Sequence, residues 1–143
     1  MKNLYLKLFE LLKEIPEIQY IDLNFGQIME EKPPLSYPAV LIGTGIRSTE
    51  DFQSIFQQVN ASFSISIIDI AGESNSLTDE KRRERALSYL DLQEKIYRKL
   101  QGFEDSHFEP FSRESSAEMN VRKGLRIVSD TYATGWKEEL ATP

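Results

Sequence analysis

Hydrophobic residues recur along this chain with two periods, and the switches between them mark its elements. Leu4, Leu8, Leu11, Leu12 and Ile15 form one stripe at helical spacing, with Lys2, Lys7, Glu10, Lys13 and Glu14 mostly off it. Pro16 closes this helix, because its ring disfavours helical geometry at the residue before it. Both charge signs occupy the polar face, which suits a core-facing helix better than a membrane-surface one. The period then becomes two. Ile21, Leu23 and Phe25 alternate with Asp22 and Asn24, predicting a strand over about 18–28, with Gly26 at a bulge or bend. A polar, proline-containing connector follows at 29–37.

Ala39-Val40-Leu41-Ile42 is apolar on both sides, as in a central strand or one covered on both faces. Residues 48–59 are ambiguous. Phe52, Ile55, Phe56 and Val59 fit helical spacing behind a Ser48 or Thr49 cap, but they equally fit a loop leading into the next strand. That strand is plain: Val59, Ala61, Phe63, Ile65 and Ile67 alternate with Asn60, Ser62, Ser64 and Ser66. A turn-rich stretch at 71–77 leads to a second helix over about 79–101. Thr78 can cap it, Asp79 and Glu80 suit its positive end, and Gly102 suits its left-handed stop. Leu90, Ile96, Tyr97 and Leu100, helped by Ala86, Tyr89 and Gln93, are expected on its buried side. Residues 103–124 are less regular, with a weak strand and a turn at Lys123-Gly124. Leu125 to about Trp136 reads as the last strand, and Lys137 to Pro143 as a loose tail.

The order helix, strand, strand, strand, helix, strand, strand predicts an α+β fold: a mostly antiparallel sheet of about four to five strands with two main helices on one face. With 143 residues, 40% of them hydrophobic, a single domain over 1–143 with one real core is expected.

Charge and composition narrow the function. Seventeen Lys+Arg against 23 Asp+Glu leave a net charge of −6, a poor balance for gripping phosphate backbones without sequence preference. The absence of Cys excludes disulfides, thiolate metal sites and cysteine nucleophiles, and a single His removes His-rich metal sites. No leader and no apolar run near the ~18 residues of a membrane span is visible, so a soluble intracellular protein with no membrane partner is expected.

Catalytic motifs are equally scarce. Gly43-Thr44-Gly45 follows a strand as a phosphate loop would, but Ser48 stands where GxGxxG needs glycine, and no GxxxxGK[ST] exists. His107 lies alone in a polar loop. Glu30-Glu31 and Glu138-Glu139 are sequence neighbours in solvated contexts. No GxSxG, HExxH or EF-hand loop is present. No catalytic residue, cofactor or metal is expected.

Two features point to contact with other proteins. Lys81-Arg82-Arg83-Glu84-Arg85 gives residues 78–101 seven basic and five acidic side chains, a cationic helix in an acidic chain. Arg82, Arg83 and Arg85 are candidates for an acidic neighbour. Phe52, Ile55, Phe56, Phe108, Phe111 and Trp136 fall in or beside irregular segments. Two helices cover only one face of one sheet well, so the other face or an edge strand is expected to need a partner. Self-association through strand edges and the 48–58 segment is the expectation.

The order of parts resembles the small tail-terminator (tail-completion, head–tail joining) proteins of long-tailed phages and their prophage relatives. The likeness rests on the N-terminal helix and the strand Tyr37-Pro38-Ala39-Val40-Leu41-Ile42. It continues through the polar lead-in with Gln53, Gln57 and Gln58 to Phe63-Ser64-Ile65-Ser66-Ile67. The helix Ala86 to Leu100 ending at Gly102 and the closing strand Leu125 to Tyr132 complete it. It spans roughly the whole chain and carries no short signature, so no site residue transfers from it. The resemblance implies a non-enzymatic assembly part. Such proteins form a ring, often of six copies, that caps the tail tube, docks to the head connector and lets DNA pass without specific binding. The host cytoplasm or the virion would be its place. Two other classes remain: a small bacterial adaptor that binds a peptide on a sheet edge or in an aromatic groove, and an enzyme with an unrecognised carboxylate site.

Overall fold

The computed structural model describes residues 1–71 and 80–140. The elements are α1 (Lys2–Leu12), β1 (Tyr20–Leu23), a 3-10 turn (Gln27–Met29), β2 (Ala39–Phe52), β3 (Phe56–Ile70), α2 (Glu80–Leu100), β4 (Ser112–Glu118) and β5 (Leu125–Glu139). This is the α+β order read from the pattern. The five strands make one sheet in the order β1-β2-β3-β5-β4. Three of its pairings are antiparallel, and only β1 runs parallel to its neighbour β2. The Thr78 and Asp79 caps and most of the 71–77 turn lie outside the described residues.

Both helices pack on one face. Leu4, Leu8 and Leu12 of α1 and Tyr89, Leu92, Ile96 and Leu100 of α2 bury against Val40, Ile42, Val59, Ala61, Phe63, Ile65, Ile67, Val128 and Tyr132. The period-two run of β3 therefore delivers all five of its apolar side chains to the helices. Leu90 departs from expectation: it is 53% exposed, and Leu92 takes the core position. In a helix one residue turns ~100°, and the helix is rotated so that Tyr89, Leu92, Ile96 and Leu100 form the buried stripe.

The opposite face is half closed. Ala39, Leu41, Ile68 and Ile127 are buried there under Tyr20, Ile28, Leu35, Tyr37 and Leu125. This explains why 39–42 is apolar on both sides. The connector at 29–37 is thus a cover as well as a link. Arg122 clasps it by donating to the carbonyl oxygens of Ile28 (3.1 Å), Glu30 and Glu31. Above this patch the face is small and polar, with Ser66 Oγ donating to Ser129 Oγ at 3.2 Å.

The ambiguous segment at 48–59 is neither helix nor loop. β2 continues to Phe52, three residues turn, and β3 begins at Phe56, with Phe52 opposite Phe56. The helical spacing of Phe52, Ile55 and Phe56 is coincidental, because cross-strand pairing in a long hairpin outweighs local helix preference. Of the expected loose tail, Lys137, Glu138 and Glu139 are strand, and 141–143 lie outside the described residues. Lys137, Glu138 and Glu139 pair with Gln58, Gln57 and Phe56, so β5 runs the full length of β3. The weak strand of 103–124 is β4, whose exposed polar sequence hides its register and whose pairing shifts between Arg113 and Ser115. Gly102, at φ 76°, ends α2 in the left-handed region that side chains avoid, and its N–H donates to Phe111 O at 2.8 Å.

Candidate assembly surfaces

The interface candidates separate once the chain folds. Phe108, Phe111 and Trp136 belong to the core and leave that set. The loop at 103–111 is strapped onto the sheet by hydrogen bonds its sequence does not advertise. Phe111 N–H donates to Phe103 O (2.9 Å), Glu109 N–H to Gly135 O (2.8 Å) and Thr134 Oγ1 to Glu109 O (2.9 Å). A Cβ at Gly135 would come within 3.0 Å of the Val59 carbonyl oxygen on the neighbouring strand, while the Glu109 carboxylate it also meets is a movable side-chain end. Asp105 Oδ1 accepts from the backbone N–H of His107 (2.8 Å) and Phe108 (2.7 Å). The Phe108 N–H bond is the main reason this carboxyl sits below its ordinary range. The strap presses Phe111 edge-on to Phe63 (centroids 5.0 Å apart) and Phe108 edge-on to Trp136 (5.7 Å). His107 stacks beside Trp136 at 6.0 Å.

Phe52 and Ile55 remain outside, 42% and 38% exposed, and Phe56 is half-buried between them. They form the tip of the β2–β3 hairpin, joined by Leu140, whose N–H donates to Ile55 O. Gln53 and Ser54 turn the tip with φ of 48° and 58°, conformations that cost non-glycine residues ~1–2 kcal/mol each. Glu50, Asp51, Glu138 and Glu139 surround the apolar tip, and Lys137 lies over the Phe52 ring at 5.8 Å.

The sheet has two open edges. β1 pairs only with Ala39–Ile42, so β2 from Gly43 to Phe52 has no strand outside it among the described residues. On the far side β4 is an outer strand, exposed at every position. A bulge between Ile46 and Ser48 and the charges Arg47, Glu50 and Asp51 temper the first edge. Arg113 and Glu118 temper the second, and Arg47 Nη1 of the first edge donates to Glu114 Oε1 of the second at 2.6 Å. Under β4, Asp130 is a buried carboxylate. Its Oδ2 lies 3.7 Å from Arg113 Nη1, while Oδ1 has no hydrogen-bond partner among the described residues, and the Arg113 guanidinium also stacks on Tyr97 at 4.0 Å.

The basic run starts α2 on the surface, with Arg83 and Arg85 exposed and Arg82 partly so. Leu87 and Leu90, absent from the interface expectation, extend it as an outward apolar stripe. The spacing Arg83, Leu87, Leu90 is a signal in the sequence, but Leu90 is expected there on the buried side and Leu87 has no assigned place. Beside Leu90 lies a groove of about 220 Å³ lined by Ala86, Tyr89, Leu125, Ile127, Glu118 and Arg126. Nη1 of Arg126 is buried there without a hydrogen-bond partner among the described residues. Tyr89 Oη donates to Ile67 O at 3.1 Å, and burial pushes its pKa above the ordinary tyrosine value. Burial, with Asp130 nearby, pushes Tyr132 the same way.

Chemically these surfaces offer contact, charge and open backbone. No group of three or more His, Cys, Asp or Glu side chains that could hold a metal occurs among the described residues. No helix among them is long and apolar enough to cross a membrane. His107 lines a second depression of about 220 Å³ with Met1, Asn3, Trp136 and Glu138.

No family model matches the chain, and no curated protein matches it. Its fold does match a solved structure, a chain in the virion of a native gene transfer agent particle. The TM-score is 0.55 at 11% sequence identity, over 92% of this chain and 84% of that one. At this identity the likeness establishes a shared fold, a helix-covered sheet.

Proposed function

We propose that this protein is a structural component of a phage-like particle: a tail-completion protein that self-associates into a ring, caps the tail tube and docks to the head connector. The observation that carries the reading is the open sheet, which among the described residues has no partner strand over Gly43–Phe52 on one side or along the outer side of β4 on the other. Its counterpart is the fold shared with the gene transfer agent chain. Two unlike edges on opposite sides of one sheet favour a heterologous contact, and heterologous contacts close into rings when the rotation allows. A net charge of −6 suits a bore through which DNA passes without being held. The particle, or the host cytoplasm before assembly, is where such a protein works, and it needs no cofactor.

Native mass spectrometry and light scattering across a concentration series test this. A discrete closed oligomer is expected, weakened by Ile46→Lys on the open edge. A monomer at every concentration would end the ring reading. The same open edge fits an extended peptide added as a further strand, which is the adaptor reading. A monomer that protects Gly43–Phe52 from hydrogen exchange only when a peptide is added would favour that alternative.

A further inference from the structure

We infer that the acidic, apolar hairpin tip of one copy seats in the apolar groove beside the basic start of α2 on a second copy. This rests on the self-association reading above and names the surfaces that would carry it. The two surfaces are complementary in both respects. The tip presents Phe52, Ile55 and Leu140, all exposed, among Glu50, Asp51, Glu138 and Glu139. The start of α2 presents exposed Leu87 and Leu90 with exposed Arg83 and Arg85, and Leu90 lines the adjoining groove with Ala86, Tyr89, Leu125 and Ile127, where Glu118 and Arg126 balance in charge. An apolar side chain of the tip fits a groove of about 220 Å³, and the carboxylates around it meet Arg83 and Arg85.

The fold keeps the two apart within one copy. The tip is where β3 begins, at Phe56, and the groove is where β3 ends and β5 begins. Fifteen residues of strand separate them, roughly 45–50 Å at ~3.3 Å per residue. One chain cannot satisfy its own groove with its own tip, so the contact runs head to tail between copies.

Because the chain has no cysteine, introduced thiols report this contact cleanly. Ile55→Cys and Leu90→Cys are prepared separately, both at exposed positions, with circular dichroism to check folding. They are then mixed under mild oxidation. A covalent dimer at least about tenfold above that in either variant alone is expected, because 1.4 kcal/mol of site preference already gives that ratio. In a second arm, Arg83→Glu with Arg85→Glu lowers the oligomer fraction, and Glu139→Lys in the partner restores it. An oligomer that forms normally, gives no cross-species disulfide and ignores the charge changes overturns this contact while leaving ring assembly through the strand edges intact. A wild-type chain that stays monomeric overturns both.

Discussion

Two buried tyrosines provide a sharp test of how this core is held. Tyr132 is fully buried, and its hydroxyl has no hydrogen-bond partner among the described residues. Its ring stacks on Phe63 with centroids 5.0 Å apart and planes 6° from parallel. Tyr132→Phe keeps that stacking and removes only the hydroxyl. Burying a hydroxyl without a partner costs ~1–3 kcal/mol, and part of the gain is returned through the small void left by the oxygen. The expected net effect is a stabilisation of about 1 kcal/mol. Tyr89 is the counterpart: its hydroxyl donates to Ile67 O at 3.1 Å in a buried setting. Tyr89→Phe removes a satisfied bond and is expected to cost about 1 kcal/mol. The two variants should therefore differ by about 2 kcal/mol, or about 8 °C in Tm at ~4 °C per kcal/mol for a chain of this length. Urea unfolding and thermal melts, read by circular dichroism below the assembly concentration, measure the gap. Alkaline pH supplies a second reading. Burial raises both tyrosines above their ordinary pKa, so the unfolded chain releases these protons first. Their neutral forms are shared by both states below pH ~10, and stability falls as pH rises above it. Each Phe variant should lessen that fall. A Tyr132→Phe protein destabilised by 1 kcal/mol or more would refute the reasoning, because it would mean that the hydroxyl is engaged and useful.

Four further outcomes follow from the same structure. Arg113→Ala strips Asp130 of its cation and is expected to cost about 2 kcal/mol, below the ~3–5 of a fully buried pair because Arg113 is 36% exposed. Asp130→Asn in that background should recover about half, and additivity of the two changes in a double-mutant cycle would show no coupling. Asp105→Ala should cost about 1 kcal/mol at pH 7 by releasing the His107 and Phe108 N–H groups. Since the folded pKa of Asp105 is lowered, its stabilisation holds above the unfolded value near 4 and fades as pH falls below it, so acid titration should show the variant and wild type converging. Ser54→Gly should stabilise the hairpin by about 1 kcal/mol by relieving its positive φ, measured as a rise in Tm with oligomer size unchanged. Reversing Arg82, Arg83 and Arg85 to Glu should weaken assembly and make what remains salt-sensitive, and an unchanged sedimentation profile from 50 to 500 mM salt would refute a role for the cationic helix start.

An assembly part of the kind proposed works by what it leaves uncovered. Here the uncovered portions are two strand edges, a strained hairpin tip and an outward leucine pair on a cationic helix.

Periodicity alone determined the α+β order, the α1 stripe of Leu4, Leu8 and Leu12, and the whole inward set of β3 from Val59 to Ile67. These are local consequences of 3.6- and 2-residue repeats, and a sequence displays them directly. Only the tertiary structure decided the rest. It turned Phe52, Ile55 and Phe56 into a hairpin tip, because pairing with β5 out to Glu139 fixes strands that local spacing leaves open. It drew Phe108, Phe111 and Trp136 inward, because a strap whose Glu109 backbone bonds to the Thr134 hydroxyl and the Gly135 carbonyl is a long-range pairing that local sequence does not display. It sent Leu90 outward and Leu92 inward, because the rotation of α2 about its axis is set by the surface it packs on. Pattern specifies which face of an element is apolar; which apolar residues remain in water depends on what the rest of the chain is long enough to cover.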